Sequence, residues 1–228
     1  MKFMYWLTAF LVNIYIRITC RLHVGNELDK FPMQGPLIVI SNHTGQIEVP
    51  VFFALLQPRK LTGWAKIETW DNWFLNRIFN LWGMIPIRRG EADTSALRKA
   101  EQALESGMIF GIAPEGTRNK TGHLLRAYPG AVLLAVRSGV PILPVAHWGG
   151  ENYLKNLKRL KRTDFHIRVG EVFRLKVDGV RMRSETRQQI ADEMMYRVAE
   201  LMPQEYRGAY EMPPGDMGTF TETINIQA

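Results

Sequence analysis

The 228-residue sequence contains a single cysteine, Cys20. One thiol forms no internal disulfide and no cysteine-based zinc cluster, so neither holds this fold together. Cys20 lies in an apolar stretch and reads as a small packing residue in a chain suited to a reducing compartment. Long hydrophobic runs are also missing. The stretch from Phe3 to Cys20 is largely apolar but is broken by Asn13 and Arg17, with Arg21 just beyond. A spanning helix needs about 20 apolar residues without a central charge. No basic start, unbroken apolar middle and small-residue cleavage site follow one another, so a removable secretory signal is not expected. No Gly-x-Ser-x-Gly elbow is present, which argues against a serine hydrolase or thioesterase of that type. Helix-turn-helix, zinc-finger and RNA-recognition signatures are absent, as are repeats and low-complexity segments.

What is present is an ordinary globular balance: 46% hydrophobic and 22% charged residues, enough for one domain with a sizeable core. The 29 Lys and Arg outnumber 22 Asp and Glu, giving a net charge of +7. Such a surface favours an anionic partner: lipid headgroups, nucleic acid, or a phosphorylated or CoA-type substrate. At about 100° per residue, Lys2, Asn13, Arg17 and Arg21 share one helical face, and the segment also carries the large apolar side chains Phe3, Trp6, Phe10, Leu11 and Ile14. Residues 1–22 are therefore expected to form an amphipathic helix lying in a bilayer interface. The alternative is a helix packed over the protein's own core.

Beyond it, apolar runs and helical periodicities alternate. Leu37–Ser41, Met84–Ile87, Met108–Ile112, Pro141–Ala146 and Phe165–Val169 read as strands or extended segments. Val49–Gln57, Thr94–Ser106, Pro129–Ser138 and Ser184–Leu201 read as helices; Gly107 and Gly139 follow two of them as stops. The stripe Ile190, Met194, Val198 and Leu201 is core. This alternation predicts an α/β fold, a mainly parallel or mixed sheet flanked by helices, over residues 23–202. Residues 203–228, rich in Pro, Gly and polar side chains, are expected to be a surface tail.

Polar clusters fall where strands end, the usual place for function in such sheets. The first is Asn42-His43-Thr44-Gly45-Gln46-Ile47-Glu48. His43 and Glu48 would sit about 140° apart on a continuous helix. They meet only if the chain turns first, which Thr44-Gly45 permits. A carboxylate beside an imidazole fixes its tautomer and stabilises the imidazolium. The second cluster, Gly83 to Arg89, ends in two adjacent cations suited to a phosphate. The third is Pro114-Glu115-Gly116-Thr117-Arg118, where Gly lets backbone N–H groups approach a ligand and Thr and Arg donate to oxygens. The fourth, Val140 to Val145, is apolar and offers no reactive group. A further basic stretch runs from Tyr153 to Arg162.

In this order and spacing the four blocks resemble the glycerolipid acyltransferase family, typified by 1-acyl-glycerol-3-phosphate acyltransferases. That family shows Asn-His-x4-Asp, Gly-x-x-Pro-x-x-Arg, Phe-Pro-Glu-Gly-Thr-Arg-Ser and an apolar Val-Pro-x-x-Pro-Val block. The resemblance covers Leu37 to Trp148, and Lys66 and Glu68 also stand where the family often has Lys and Glu. It implies His43 as the base and Glu48 in the aspartate place. Arg89 matches the phosphate-binding arginine, and Glu115, Gly116, Thr117 and Arg118 match the block that helps hold the acceptor. Glu48 for Asp, Ala113 for Phe and Asn119 for Ser are departures.

The implied reaction is transfer of a fatty acyl chain from acyl-CoA or acyl-acyl carrier protein to a lysophospholipid hydroxyl, 1-acyl-glycerol-3-phosphate first, yielding phosphatidic acid. It needs no metal and no redox cofactor. The expected setting is the cytoplasmic face of a membrane, peripheral or monotopic. Other acceptors, such as glycerol-3-phosphate or another lysolipid, share the phosphate and hydroxyl these motifs address. A non-catalytic anionic-lipid or nucleic-acid-binding module is the rival from another class. It leaves the four blocks unexplained, and nucleic acid is not an expected partner.

Overall fold

The structure, a computed structural model, describes residues 2–88, 90, 93–212 and 218–225. Helix α1 (Lys2–Thr19) leads into strand β1 (Cys20–His23). The central strands are β2 (Leu37–Ser41), β3 (Leu61–Lys66), β4 (Ile85–Ile87), β5 (Ile109–Ile112) and β6 (Ile142–Trp148). They are followed by β7 (Thr163–Val169), β8 (Phe173–Leu175) and β9 (Thr221–Thr223). Helices α2 (Glu48–Leu55), α3 (Trp73–Leu81), α4 (Thr94–Glu105), α5 (Gly130–Ser138), α6 (Tyr153–Lys158) and α7 (Ser184–Ala199) fill the connections.

The strands form one sheet in the order β1-β7-β6-β2-β5-β3-β4, with β8 on β6 and β9 on β8. The middle is parallel: β2 pairs in parallel with both β5 and β6, and β3 with both β4 and β5. β7 runs antiparallel to β6. The sequence explains the difference. Every residue of β2 is buried, as expected for a strand covered on both faces. In β7, by contrast, Thr163, Phe165, Ile167 and Val169 point inward while Asp164 and Arg168 are exposed, the alternation of a half-covered strand.

β2 also divides the core. Ile38 and Ile40 join the cluster under α4, α5 and α7, while Leu37 and Val39 join the cluster under α1 and α2. The result is helices on both faces of a mixed sheet, the α/β architecture the alternating pattern predicts. The α7 stripe is core: Ile190, Met194 and Val198 are fully buried.

Three boundaries differ from the sequence expectation. α1 stops at Thr19, not residue 22, because Cys20–His23 pairs with β7 and Arg21 becomes a strand residue. The C-terminal segment is more than a surface wrap, since β9 enters the sheet. Buried Glu193 on α7 accepts hydrogen bonds from the backbone N–H groups of Gly218, Phe220 and Thr221 and from the Thr221 hydroxyl. Finally, β1, β3, α3, α6, β8 and β9 were not separately expected; all but α3 are only three to six residues long.

α1 covers the protein's own core with one side, the packing alternative its sequence offered. Ala9 and Ile16 are buried, and Tyr5 packs edge-on to Phe53 of α2. Phe3, Trp6, Phe10, Leu11, Ile14 and Ile18 remain exposed on the other side. Among the described residues, no helix is long and apolar enough to cross a membrane.

Candidate active site

The first and third sequence blocks follow the C-terminal ends of β2 and β5, and the fourth runs into β6; the three strands are adjacent in the sheet. His43 and Glu48 are in contact. After β2 the chain turns through Thr44 to Ile47, and Glu48 becomes the first residue of α2. Its Oε1 lies 2.5 Å from His43 Nδ1 and accepts the Gly45 N–H at 3.1 Å. A carboxylate only accepts, so Nδ1 carries the proton and Nε2 is left as the base. The extra methylene of Glu relative to Asp is thus accommodated at the first turn of the helix, where the helix dipole also favours a negative charge.

The electrostatics support an ionised partner. Burial alone would raise the Glu48 pKa, but the His43 hydrogen bond and the neighbouring His147 and His43 imidazoles outweigh it and hold the group at about 2. Its second oxygen, Oε2, is buried without a hydrogen-bond partner.

The third block holds His43 by its backbone. The His43 N–H donates to Glu115 Oε1 at 2.7 Å, and its carbonyl accepts the Asn119 N–H at 2.8 Å. The other Glu115 oxygen accepts the Leu125 N–H at 2.9 Å. Glu115 is therefore fully engaged and buried, and desolvation, with the Glu48 charge adding to it, pushes its pKa up to about 7. The Asn119 side chain closes its own turn, accepting from Thr121 N–H and hydroxyl and donating to the His123 carbonyl. Because the contact to His43 uses backbone, Asn in place of Ser leaves it intact.

Asn42 and His147 were not singled out as site residues by sequence. The Asn42 amide donates to the His147 carbonyl at 2.7 Å and accepts the His147 N–H at 3.0 Å. His147 Nε2 lies 2.8 Å from the Asn42 carbonyl, so it donates there. Its ring stacks on Phe165, and burial lowers its pKa against the opposing pull of the Glu48 charge. This reciprocal lock ties β2 to β6 one residue before the base. Asn42→Ala is expected to destabilise the protein by about 2–4 kcal/mol, because two buried backbone groups lose their partners. Chemical denaturation reads this; an unchanged midpoint would refute the lock.

His43, Glu48 and Asn42 line a cavity of about 720 Å³, within the range of small-molecule sites. Its walls are otherwise mostly apolar, with Val39, Phe52, Leu56, Leu61, Met84 and Ile112 among them. The wall extends along α2 from Glu48 to Leu56, about 12 Å at helical rise. On the sheet side of the cavity, Gly63 and Gly111, paired across β3 and β5, add no side chain. A Cβ on Gly63 would approach the Gly111 carbonyl oxygen to 2.6 Å, so the strands require glycine there.

Gly116 and Thr117 line the cavity, and Gly116 makes its turn at φ +64° beneath the Tyr128 ring. Arg118 is exposed and is not among the lining residues. Of the second block, Arg88 and Gly90 line the cavity, and the Arg88 N–H is held by Asp93, the N-cap of α4. Arg89 lies outside the described residues. Lys66 and Glu68 form an exposed ion pair at 3.0 Å.

A histidine paired with a buried carboxylate, on the wall of a mostly apolar cavity that Thr117 and Arg88 also line, fits an enzyme of the acyltransferase class. The chain belongs to the acyltransferase family, which it matches over residues 22–148, more than half its length. It is 25% identical over 215 residues to a 1-acyl-sn-glycerol-3-phosphate acyltransferase of Pseudomonas aeruginosa, covering 93% of this chain and 80% of that one. To the human 1-acyl-sn-glycerol-3-phosphate acyltransferase beta it is 30% identical over 127 residues, 54% of this chain and 45% of that protein. It thus spans four fifths of the first relative and under half of the second. The crystal structure of a 1-acyl-sn-glycerophosphate acyltransferase, PlsC, from Thermotoga maritima shares the fold: TM-score 0.65, 22% identity, 88% of this chain and 81% of that chain.

Proposed function

We propose that the protein transfers a fatty acyl chain from a thioester donor to the free hydroxyl of 1-acyl-glycerol-3-phosphate, making phosphatidic acid for phospholipid synthesis at a membrane surface. The observation that carries this reading is the His43–Glu48 pair, 2.5 Å apart, lining a mostly apolar cavity. His43 Nε2 takes the acceptor's hydroxyl proton as that oxygen attacks the thioester carbonyl. Glu48 stabilises the imidazolium, the carbonyl re-forms, and the thiolate leaves with the proton that His43 returns. The cavity takes an acyl chain. Arg88 and Thr117 on its wall, with Arg89 and Arg118 beside them in sequence, offer cations and a hydroxyl to the acceptor phosphate. Glu115 acts through His43, whose backbone it holds, and Gly116 shapes the turn.

The membrane side of the proposal rests on α1. Its outer face is apolar, with Arg17 hydrogen-bonded to Asn13 on the same helix, the pattern of a helix lying in a leaflet. The net charge of +7 and a single buried thiol favour the anionic, reducing cytoplasmic side. A transfer assay on the purified protein, with a panel of lysophospholipids, glycerol-3-phosphate and both CoA and carrier-protein donors, tests the function. Product from 1-acyl-glycerol-3-phosphate above the other acceptors is expected; no transfer to any acceptor removes the proposal.

The cavity yields a second expectation. A Cβ on Gly111 would meet Leu61 Cδ1 and Thr62 O at 3.7 Å, ordinary contacts, so a side chain fits there. Gly111→Val is expected to fold and to shift donor preference toward shorter chains, by about fourfold for each methylene excluded. Unchanged chain preference would show that the acyl chain lies elsewhere.

A further inference from the structure

Two helices of this protein end on a left-handed glycine: Gly107 follows α4 and Gly139 follows α5, with φ +78° and +60°. α6 makes the same kind of turn without one. The Lys161 N–H reaches back to the Asn156 carbonyl and the Leu160 N–H to the Leu157 carbonyl, the paired bonds of a Schellman turn. Leu160 therefore occupies the left-handed position with φ +53°, and it alone among the described non-glycine residues has positive φ. A bulky side chain there costs stability. Packing offers no compensation, because Leu160 is 96% exposed.

The surroundings say what the leucine is for. Lys158, Arg159, Lys161 and Arg162 flank it, all exposed, and Leu154 is half-exposed six residues before. The segment is anchored beside α1. The Tyr153 hydroxyl bonds to that of Tyr15, and Arg162 donates to the carbonyls of Arg17 and Cys20 at 2.9 and 2.6 Å, at the end of α1. Exposed Tyr15 and Ile18 belong to the same end of that helix.

We propose that Leu160, ringed by these four cations, is an insertion point for an anionic phospholipid leaflet, a second anchor next to α1. The cations pair with headgroup phosphates, and the leucine reaches the acyl region beneath them. Two anchors on different elements fix the tilt of the protein on the leaflet, which one helix alone leaves free to roll. An acidic protein partner would satisfy the cations but gives no reason for an unsupported leucine in a glycine position.

The inference rests on α1 facing the membrane, so the test separates the two. Leu160→Cys and, separately, Phe10→Cys are made in the full chain, each carrying Cys20→Ala, and labelled with a solvatochromic dye. Both labels are expected to shift to the blue on phosphatidylglycerol-containing vesicles, with a much weaker response on phosphatidylcholine alone. Unlabelled Leu160→Gly is expected to raise the thermal midpoint while weakening vesicle affinity about tenfold; a lowered midpoint with unchanged affinity would show a purely structural leucine and overturn the proposal. A response at Phe10 without one at Leu160 overturns the second anchor and spares α1. Silence at both positions overturns both. A response at Leu160 to an acidic acyl carrier protein, with none to vesicles, overturns the proposal in favour of a protein partner.

Discussion

Replacement of His43 by alanine is expected to lower acyl transfer by about 10³-fold or more while thermal unfolding and vesicle binding survive. A positioned general base contributes about 10²–10⁴ in rate, and nothing nearby replaces it. Glu48, the other proton acceptor beside it on the cavity wall, is held at about 2 and is a poor base at neutral pH. Folding should persist because the structural work at this position belongs to the backbone. The N–H to Glu115 and the carbonyl bonded to Asn119 remain when the ring is removed. The readout is initial rate on 1-acyl-glycerol-3-phosphate alongside a thermal melt. A folded variant with undiminished turnover would strip His43 of its role.

Glu48→Gln should reduce kcat by about 10²-fold with little change in KM, because the amide keeps the shape and an acceptor for Nδ1–H but cannot stabilise an imidazolium. Stability carries a separate signature. The folded pKa of Glu48 lies at about 2, below its ordinary 4.5. Its contribution is complete above pH 4.5 and is lost as pH falls through about 2. The shift corresponds to on the order of 3 kcal/mol, so acid unfolding of the Gln variant should be flatter across that window. Glu115 behaves oppositely. Raised to about 7, it contributes most below pH 4.5 and loses that contribution as pH rises through about 7. Denaturation midpoints at several pH values check both signs; parallel acid limbs in parent and variant would show that Glu48 is not held low by its partner.

The strands and helices of the core were legible because their signals are local. Leu37–Ser41 is a continuous apolar run and is buried on both faces; Thr94–Glu105 carries a helical stripe that packs as expected, with Ala100 and Leu104 buried. The His43–Glu48 contact was legible too, since the chain between them is short and holds a glycine. What escaped notice depends on distance along the chain. His147 lies 105 residues from Asn42, and no pattern in either segment announces their lock. The backbone bond from Asn119 to His43 is likewise invisible in side-chain identities. β1 and β9 are short segments whose strand character comes from a partner, β7 and β8 respectively, and not from their own composition. Leu160 was seen only as part of a basic stretch, because φ is not written in sequence.

The two-sided nature of α1 limits how this protein can be simplified. Its inner residues meet Phe53 and Trp82, which stack at 3.9 Å, and Phe53 belongs to α2, the same helix that begins with Glu48. Cutting residues 2–19 away to obtain a more soluble fragment would uncover that aromatic pair and loosen the helix that begins with Glu48. Solubility is better sought by recolouring the outer face with polar side chains at Phe3, Phe10 and Ile18, leaving the buttress standing.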